Sequence, residues 1–183
     1  MKEFKIVDLM VPLSEYATVS EDATLFEAVS ELEKAQEEFD HTRYRHRAIL
    51  VLDHNGKVIG KLTQLGALKA LEPKYDTMLD RRKSHHLGFS KEFMKSMLKE
   101  YRLFDSSLED LCCKAGEQNV KKFMQTPSEG EFIEESATLD EAIHQLVLGN
   151  HQSLLVTRQG GITGILRLTD VFAAVYHKMR ECF

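Results

Sequence analysis

The sequence predicts an α+β fold of two homologous units packed as a pseudo-two-fold pair, with a helical insertion between them. Three observations carry that prediction. Shifted by 114 residues, the chain matches itself without a gap: residues 10–29 and 124–143 share nine identities in twenty positions. A second self-match, at a shift of 104, sets Leu50, Gly56, Gly60, Leu62 and Ala70 against Leu154, Gly160, Gly164, Leu166 and Ala174. Between and after these blocks, each copy passes from a helical apolar period to two β-rich runs and back to a helical period. The change of shift places about ten extra residues in the first copy, near residues 36–46. The expected boundaries are 1–72 for the first repeat, 73–119 for a helical spacer and 120–183 for the second repeat.

Each repeat opens with a short extended lead-in and then a helix. Thr24 and Thr138 stand three residues before Glu27 and Glu141, the spacing of a capping box. Leu25, Val29, Leu32, Gln36 and Phe39 share one helical face in the first copy, and Leu139, Ile143, Leu146 and Val147 do so in the second. Strands are predicted over residues 48–52 and 153–157. The turns Asp53-His-Asn-Gly56 and Arg158-Gln-Gly-Gly161 follow, and they supply the positive φ that tight hairpins demand. Second strands run over 57–62 and 162–166. The closing helices carry Leu65, Leu68 and Leu71 in one copy, and Leu168, Val171, Phe172, Val175 and Met179 in the other. One such sheet with two helices cannot bury both its faces alone, so the pair is the expected folding unit.

The spacer has its own helical signals. Ser90 is placed as an N-cap, with Phe89 and Met94 spaced for a hydrophobic staple. Phe93, Met94, Met97, Leu98 and Tyr101 form an apolar stripe. A second short helix begins near Ser107 with Leu108, Leu111 and Cys112. These helices are expected to cover the module's own core or a dimer seam rather than to dock a target protein.

Charge and composition exclude several classes. The 183 residues are 43% apolar, and the formal net charge is −5. A chain acidic overall lacks the Lys and Arg surplus that general nucleic-acid binding needs. The basic segment 41–47, HTRYRHR, leads into the first strand. It suits either a polyphosphate or nucleic acid, or a solvated loop that offsets the acidic run 31–40. No run approaches the roughly 18 apolar residues of a membrane helix, and no apolar region follows the N-terminal charges as in a secretory signal. Cys112, Cys113 and Cys182 make no disulfide framework, so a reducing, cytoplasmic setting is expected. Adjacent helical residues point about 100° apart, so neither His85-His86 nor Cys112-Cys113 chelates readily, and no metal site is expected. No nucleophile elbow, P-loop or HExxH motif occurs, and no enzyme activity is expected.

At residues 7–10 (VDLM), 17–28 (ATVSEDATLFEA) and 49–60 (ILVLDHNGKVIG) the sequence resembles the cystathionine β-synthase (CBS) domain, and the resemblance covers both repeats. It implies a tandem pair, a Bateman module, that forms an intramolecular pseudo-dimer and associates as a homodimer. It also implies adenosine-type ligands between the repeats (AMP, ADP, ATP or S-adenosylmethionine) and a relay to an unidentified target protein. A ligand-free interaction module is the alternative.

The family's ligand motif has glycine, then Ser or Thr three residues on, then Asp three further. The hydroxyl suits a phosphate, and the carboxylate suits the ribose hydroxyls. Here Gly60-Lys-Leu-Thr63-Gln-Leu-Gly66 keeps the hydroxyl and lacks the acid. Gly164-Ile-Leu-Arg167-Leu-Thr-Asp170 keeps the acid and carries Arg167 for the hydroxyl residue. The candidate nucleotide-binding residues are therefore Asp170, Arg167, Thr63 and Gly164, with the Asp170 cleft expected to be the occupied one. Helix-capping roles for Thr63 and Asp170 and a solvated Arg167 are the competing readings.

Overall fold

The structure, a computed structural model, describes residues 4–38, 45–75, 78 and 90–182. Phe39, residues 41–44, the His85-His86 pair and Phe89 lie outside them. The first repeat comprises α1 (Ile6–Leu9), β1 (Val11–Pro12), a 3-10 turn (Leu13–Glu15), β2 (Thr18–Ser20), α2 (Leu25–Glu38), β3 (Ala48–Leu52), β4 (Val58–Thr63) and α3 (Gln64–Ala70). Helices α4 (Lys91–Glu100) and α5 (Leu108–Gly116) form the insertion. The second repeat has 3-10 turns at Val120–Lys122 and Glu129–Glu131, then β5 (Phe132–Glu134), α6 (Leu139–Gly149), β6 (Ser153–Arg158), β7 (Gly161–Arg167) and α7 (Leu168–Arg180). The fold is thus the α+β pair that the repeat predicts.

Local chemistry sets these boundaries. The Glu27 carboxylate accepts from Thr24 N at 2.7 Å while the Thr24 hydroxyl accepts from Glu27 N, and Thr138 with Glu141 repeats the arrangement. Ser90 and Ser107 cap α4 and α5 through Phe93 N and Asp110 N. Each cap satisfies an amide that the first helical turn leaves without a partner.

The sheets are built in register with the repeat. Strand β2 runs parallel to β3, and β3 antiparallel to β4; β5, β6 and β7 repeat this. The lead-ins, however, are exchanged. Strand β1 pairs with β7 of the other repeat, Val11 opposite Ile165. Its counterpart Gln125 bridges to Lys61 of β4. A second reciprocal pair of bridges, Lys5 to Thr138 and Thr24 to Asn119, obeys the same shift of 114. Gly60 and Gly164 permit the crossing. A Cβ at Gly164 would stand 2.5 Å from the Val11 carbonyl oxygen, and one at Gly60 would stand 2.5 Å from Met124 Sδ.

Register corrects one detail of the alignment. Val19 pairs with Val51 and Ile133 with Val156, so the first strands match at a shift of 105, with Leu50 equivalent to Leu155 rather than Leu154. The remaining extra residue sits in the first hairpin turn, after which Gly60 and Gly164 realign at 104.

Three apolar clusters follow from this exchange. Ala17, Leu25, Ala28, Leu32, Ile49 and Val51 pack with Val120, a residue of the second lead-in. Ile133, Ala142, Leu146, Leu154 and Val156 pack with Ile6 of the first. Between the sheets, Leu50 and Leu155 join Val11, Tyr16, Val58 and Ile165. The closing helices correct a second expectation. Leu65, Leu68, Phe172 and Met179 are exposed, as is Val147 on α6. Small residues bury those helices instead: Gly66 and Ala70 on α3, and Ala174 beside Val171 on α7.

The insertion is tied to the first repeat. Helix α5 buries Ala115 in the first cluster. The buried Glu72 carboxylate accepts from Phe104 N at 2.9 Å, and Lys74 Nζ donates to the Arg102 carbonyl. No described helix is long and apolar enough to cross a membrane.

Candidate functional site

At the junction of the repeats, strands β4 and β7 each deliver their last residue to the N-terminus of a closing helix. A cavity of about 520 Å³ opens there. The first repeat contributes Arg47, Lys61, Thr63 and Gln64 to its wall; the second contributes Gln125, Glu131, His151, Ser153 and Arg167. A ligand seated in it would touch both repeats at once.

Lys61 and Glu131 cross the junction as a buried ion pair, in which Lys61 Nζ donates to Glu131 Oε2. Burial works to raise the pKa of the Glu131 carboxyl. The Lys61 hydrogen bond, the Ser128 amide and nearby positive charge outweigh it and hold that pKa below its ordinary value. The Glu131 carboxylate therefore stays ionised, and the pair reaches one wall of the cavity. Self-alignment offers the signal for it. At the equivalent positions the chain carries Ile165 and Ala17, so Lys61 and Glu131 are polar residues at sites that the other copy fills with apolar ones.

The structure brings Thr63 and Arg167 to one cavity and leaves Asp170 and Gly164 out of its wall. Thr63 ends β4 and caps α3, its hydroxyl accepting from Gly66 N at 3.0 Å. Arg167, itself buried, clamps Asp170 through Nε to Oδ2 and Nη2 to Oδ1, both 2.6 Å. The two parallel bonds make a strong, geometrically exacting pair. Gly164 faces the exchanged lead-in strand. Arg47, from the basic segment, reaches the cavity as an exposed cation.

Behind Arg167, the rings of Tyr16 and His46 meet edge to face with centroids 4.3 Å apart. Burial, then Arg167, depress the His46 imidazole to about 4, partly opposed by Asp170. Burial likewise pushes the Tyr16 phenol well up. Both rings are neutral in the physiological range.

Among the described residues no three His, Cys, Asp or Glu side chains converge as a metal set. The three cysteines are exposed free thiols.

Comparison with known proteins agrees with this architecture. The sequence model described as "CBS domain" matches residues 6–73 and 120–177. The CBS-pair protein CBSX2 from Arabidopsis thaliana superposes with a TM-score of 0.61 at 18% identity, over 98% of this chain and 99% of that one. A structure of CBSX2 in complex with AMP gives 0.59 at 16% identity, over 96% and 98%. A putative acetoin utilization protein (AcuB) from Vibrio cholerae gives 0.60 at 17%, over 98% and 95%. No curated protein matches the chain in sequence.

Proposed function

We propose, from the premise that the chain belongs to the CBS domain family, that it is a regulatory module which takes an adenosine nucleotide or related ligand between its repeats. It signals by a change of shape or assembly. The observation that carries the reading is the cavity whose wall is shared between the two repeats. A ligand that prefers one arrangement of the repeats shifts the population toward it by its difference in affinity. The AMP bound to CBSX2, a protein of the same fold, supports the choice of ligand class.

The cavity suits a phosphate-bearing ligand. Arg47 and His151 stand at its wall, the Thr63 hydroxyl is at hand, and the Lys61–Glu131 pair adds polar contacts. AMP, ADP, ATP and S-adenosylmethionine are the ligands to test by calorimetry. Heat with at least one of them is expected, and Arg47→Glu should weaken a phosphate-bearing ligand by about tenfold, the scale of one charge-assisted contact. No heat and no thermal shift with any of the four would refute the reading.

One observation favours assembly as part of the function. Val147 and Leu148 on α6, and Phe172, Tyr176 and Met179 on α7, are large apolar side chains left exposed on neighbouring helices. The proposed unit is accordingly a homodimer joined through these faces. Sedimentation should show a dimer that Phe172→Glu dissociates. A monomer at micromolar concentration would contradict it. The exposed free thiols support a cytoplasmic, reducing setting.

A further inference from the structure

The repeat makes two clefts equivalent by sequence, and the structure treats them differently. Gln125, His151 and Thr63 stand around the open cavity, and Gly130 lies beside His151. By the shifts that fix the register, their counterparts are Val11, His46, Arg167 and Tyr16. The first set is exposed or half-buried. The second is buried: Val11 is 3% exposed, Tyr16 6%, His46 1% and Arg167, one edge of which also lines the open cavity, 6%.

The largest difference is at one pair. Gly130 faces His151 with no side chain, and a Cβ added there would lie an unstrained 3.6 Å from the imidazole. In the other half Tyr16 stands at this position, its ring against the equivalent His46. Beyond it, Arg167 stands where the open side has Thr63, and Asp170 where it has Gly66. Arg167 and Asp170 spend their paired hydrogen bonds on each other.

We propose that Tyr16, His46 and the Arg167–Asp170 pair are a built-in occupant of the second cleft, so that each chain presents one ligand site, with Tyr16 the residue that decides it. The inference rests on the proposed function for the ligand's identity but not for the filling itself. A ribose would have to break the part-buried, two-bond pair of Arg167 and Asp170 before reaching the carboxylate. The Thr63 cleft imposes no such cost.

Two measurements on the full chain test this. In calorimetry with AMP, the wild type should bind one molecule per chain. Tyr16→Gly should raise that toward two, and Gly130→Tyr, which copies the occupant into the open side, should abolish binding. Should Tyr16→Gly fail to fold, Tyr16→Ala takes its place. The second readout needs no ligand: the Arg167 Nε–H resonance should exchange slowly in the wild type and about tenfold faster or more once Tyr16 is removed. Absence of heat from wild type beside a protected Nε–H would count against nucleotide binding while supporting the filled cleft. Two molecules of AMP per wild-type chain, or an Arg167 Nε–H exchanging as fast as in free arginine, would overturn the proposal.

Discussion

Lys61 and Glu131 are a charged replacement for Ile165 and Ala17, the residues at the same places in the other half. A buried pair of this kind contributes little net stability, because its mutual attraction is offset by loss of hydration. Removing one partner leaves a charge uncompensated. Lys61→Met should therefore cost about 3–5 kcal/mol in urea unfolding, the range for a broken buried pair. The double change Lys61→Ile with Glu131→Ala should restore most of it. A double variant as unstable as the single one would show that the pair is not the source of the cost. His46 makes a second prediction at this scale. Its ordinary pKa is 6.5 and its folded value about 4. The unfolded chain therefore binds the proton first, and stability present above pH 6.5 is lost as pH falls toward 4. By linkage the loss between pH 7 and pH 5 is roughly 2 kcal/mol. His46→Phe, which keeps a ring beside Tyr16, should flatten that slope. An unchanged slope would assign the acid sensitivity to other groups.

At the scale of elements, the exchanged lead-ins make each sheet incomplete without the other repeat. Gly164 is the narrowest point of the exchange. Gly164→Ala would push a methyl group into the Val11 backbone, which cannot rotate away as a side chain can. A loss of about 1–3 kcal/mol is expected from such overpacking, with β1 released from β7. Amide exchange at residues 11 and 165 would detect it, and unchanged protection there would contradict the account. Caps, helix positions and hairpins were legible in the sequence because each depends on residues within a turn or two of one another. The exchange was not. Val11 lies 154 residues from its partner Ile165 and Gln125 lies 64 from Lys61, and an extended lead-in reads the same whichever sheet it joins. The exposed apolar residues of α3 and α7 were misleading for a related reason. Periodicity identifies an apolar face, whereas the small residues Gly66, Ala70 and Ala174 mark the side that packs.

For the whole molecule, Ile6 completing the second core and Val120 completing the first predict one cooperative unit. Unfolding followed by Tyr16 exposure and by far-ultraviolet circular dichroism should give coincident transitions. A separated transition for one repeat would contradict the exchange. The repeat itself predicted the pair and the junction. Which side of the junction stays open depends on Tyr16 facing His46 while Gly130 leaves His151 uncovered, a difference that emerges only when the two halves are laid over one another in space. The same superposition locates the site motifs: Thr63 and Arg167 reach one wall, and Asp170 is engaged by Arg167. The most direct test of a ligand-sensing junction is a crystal structure from a soak with AMP. The account predicts nucleotide density in the cavity between Thr63 and His151, in contact with side chains from both repeats. Nucleotide lying against Asp170 with the Arg167 clamp broken, or a cavity holding only solvent at saturating AMP, would contradict it.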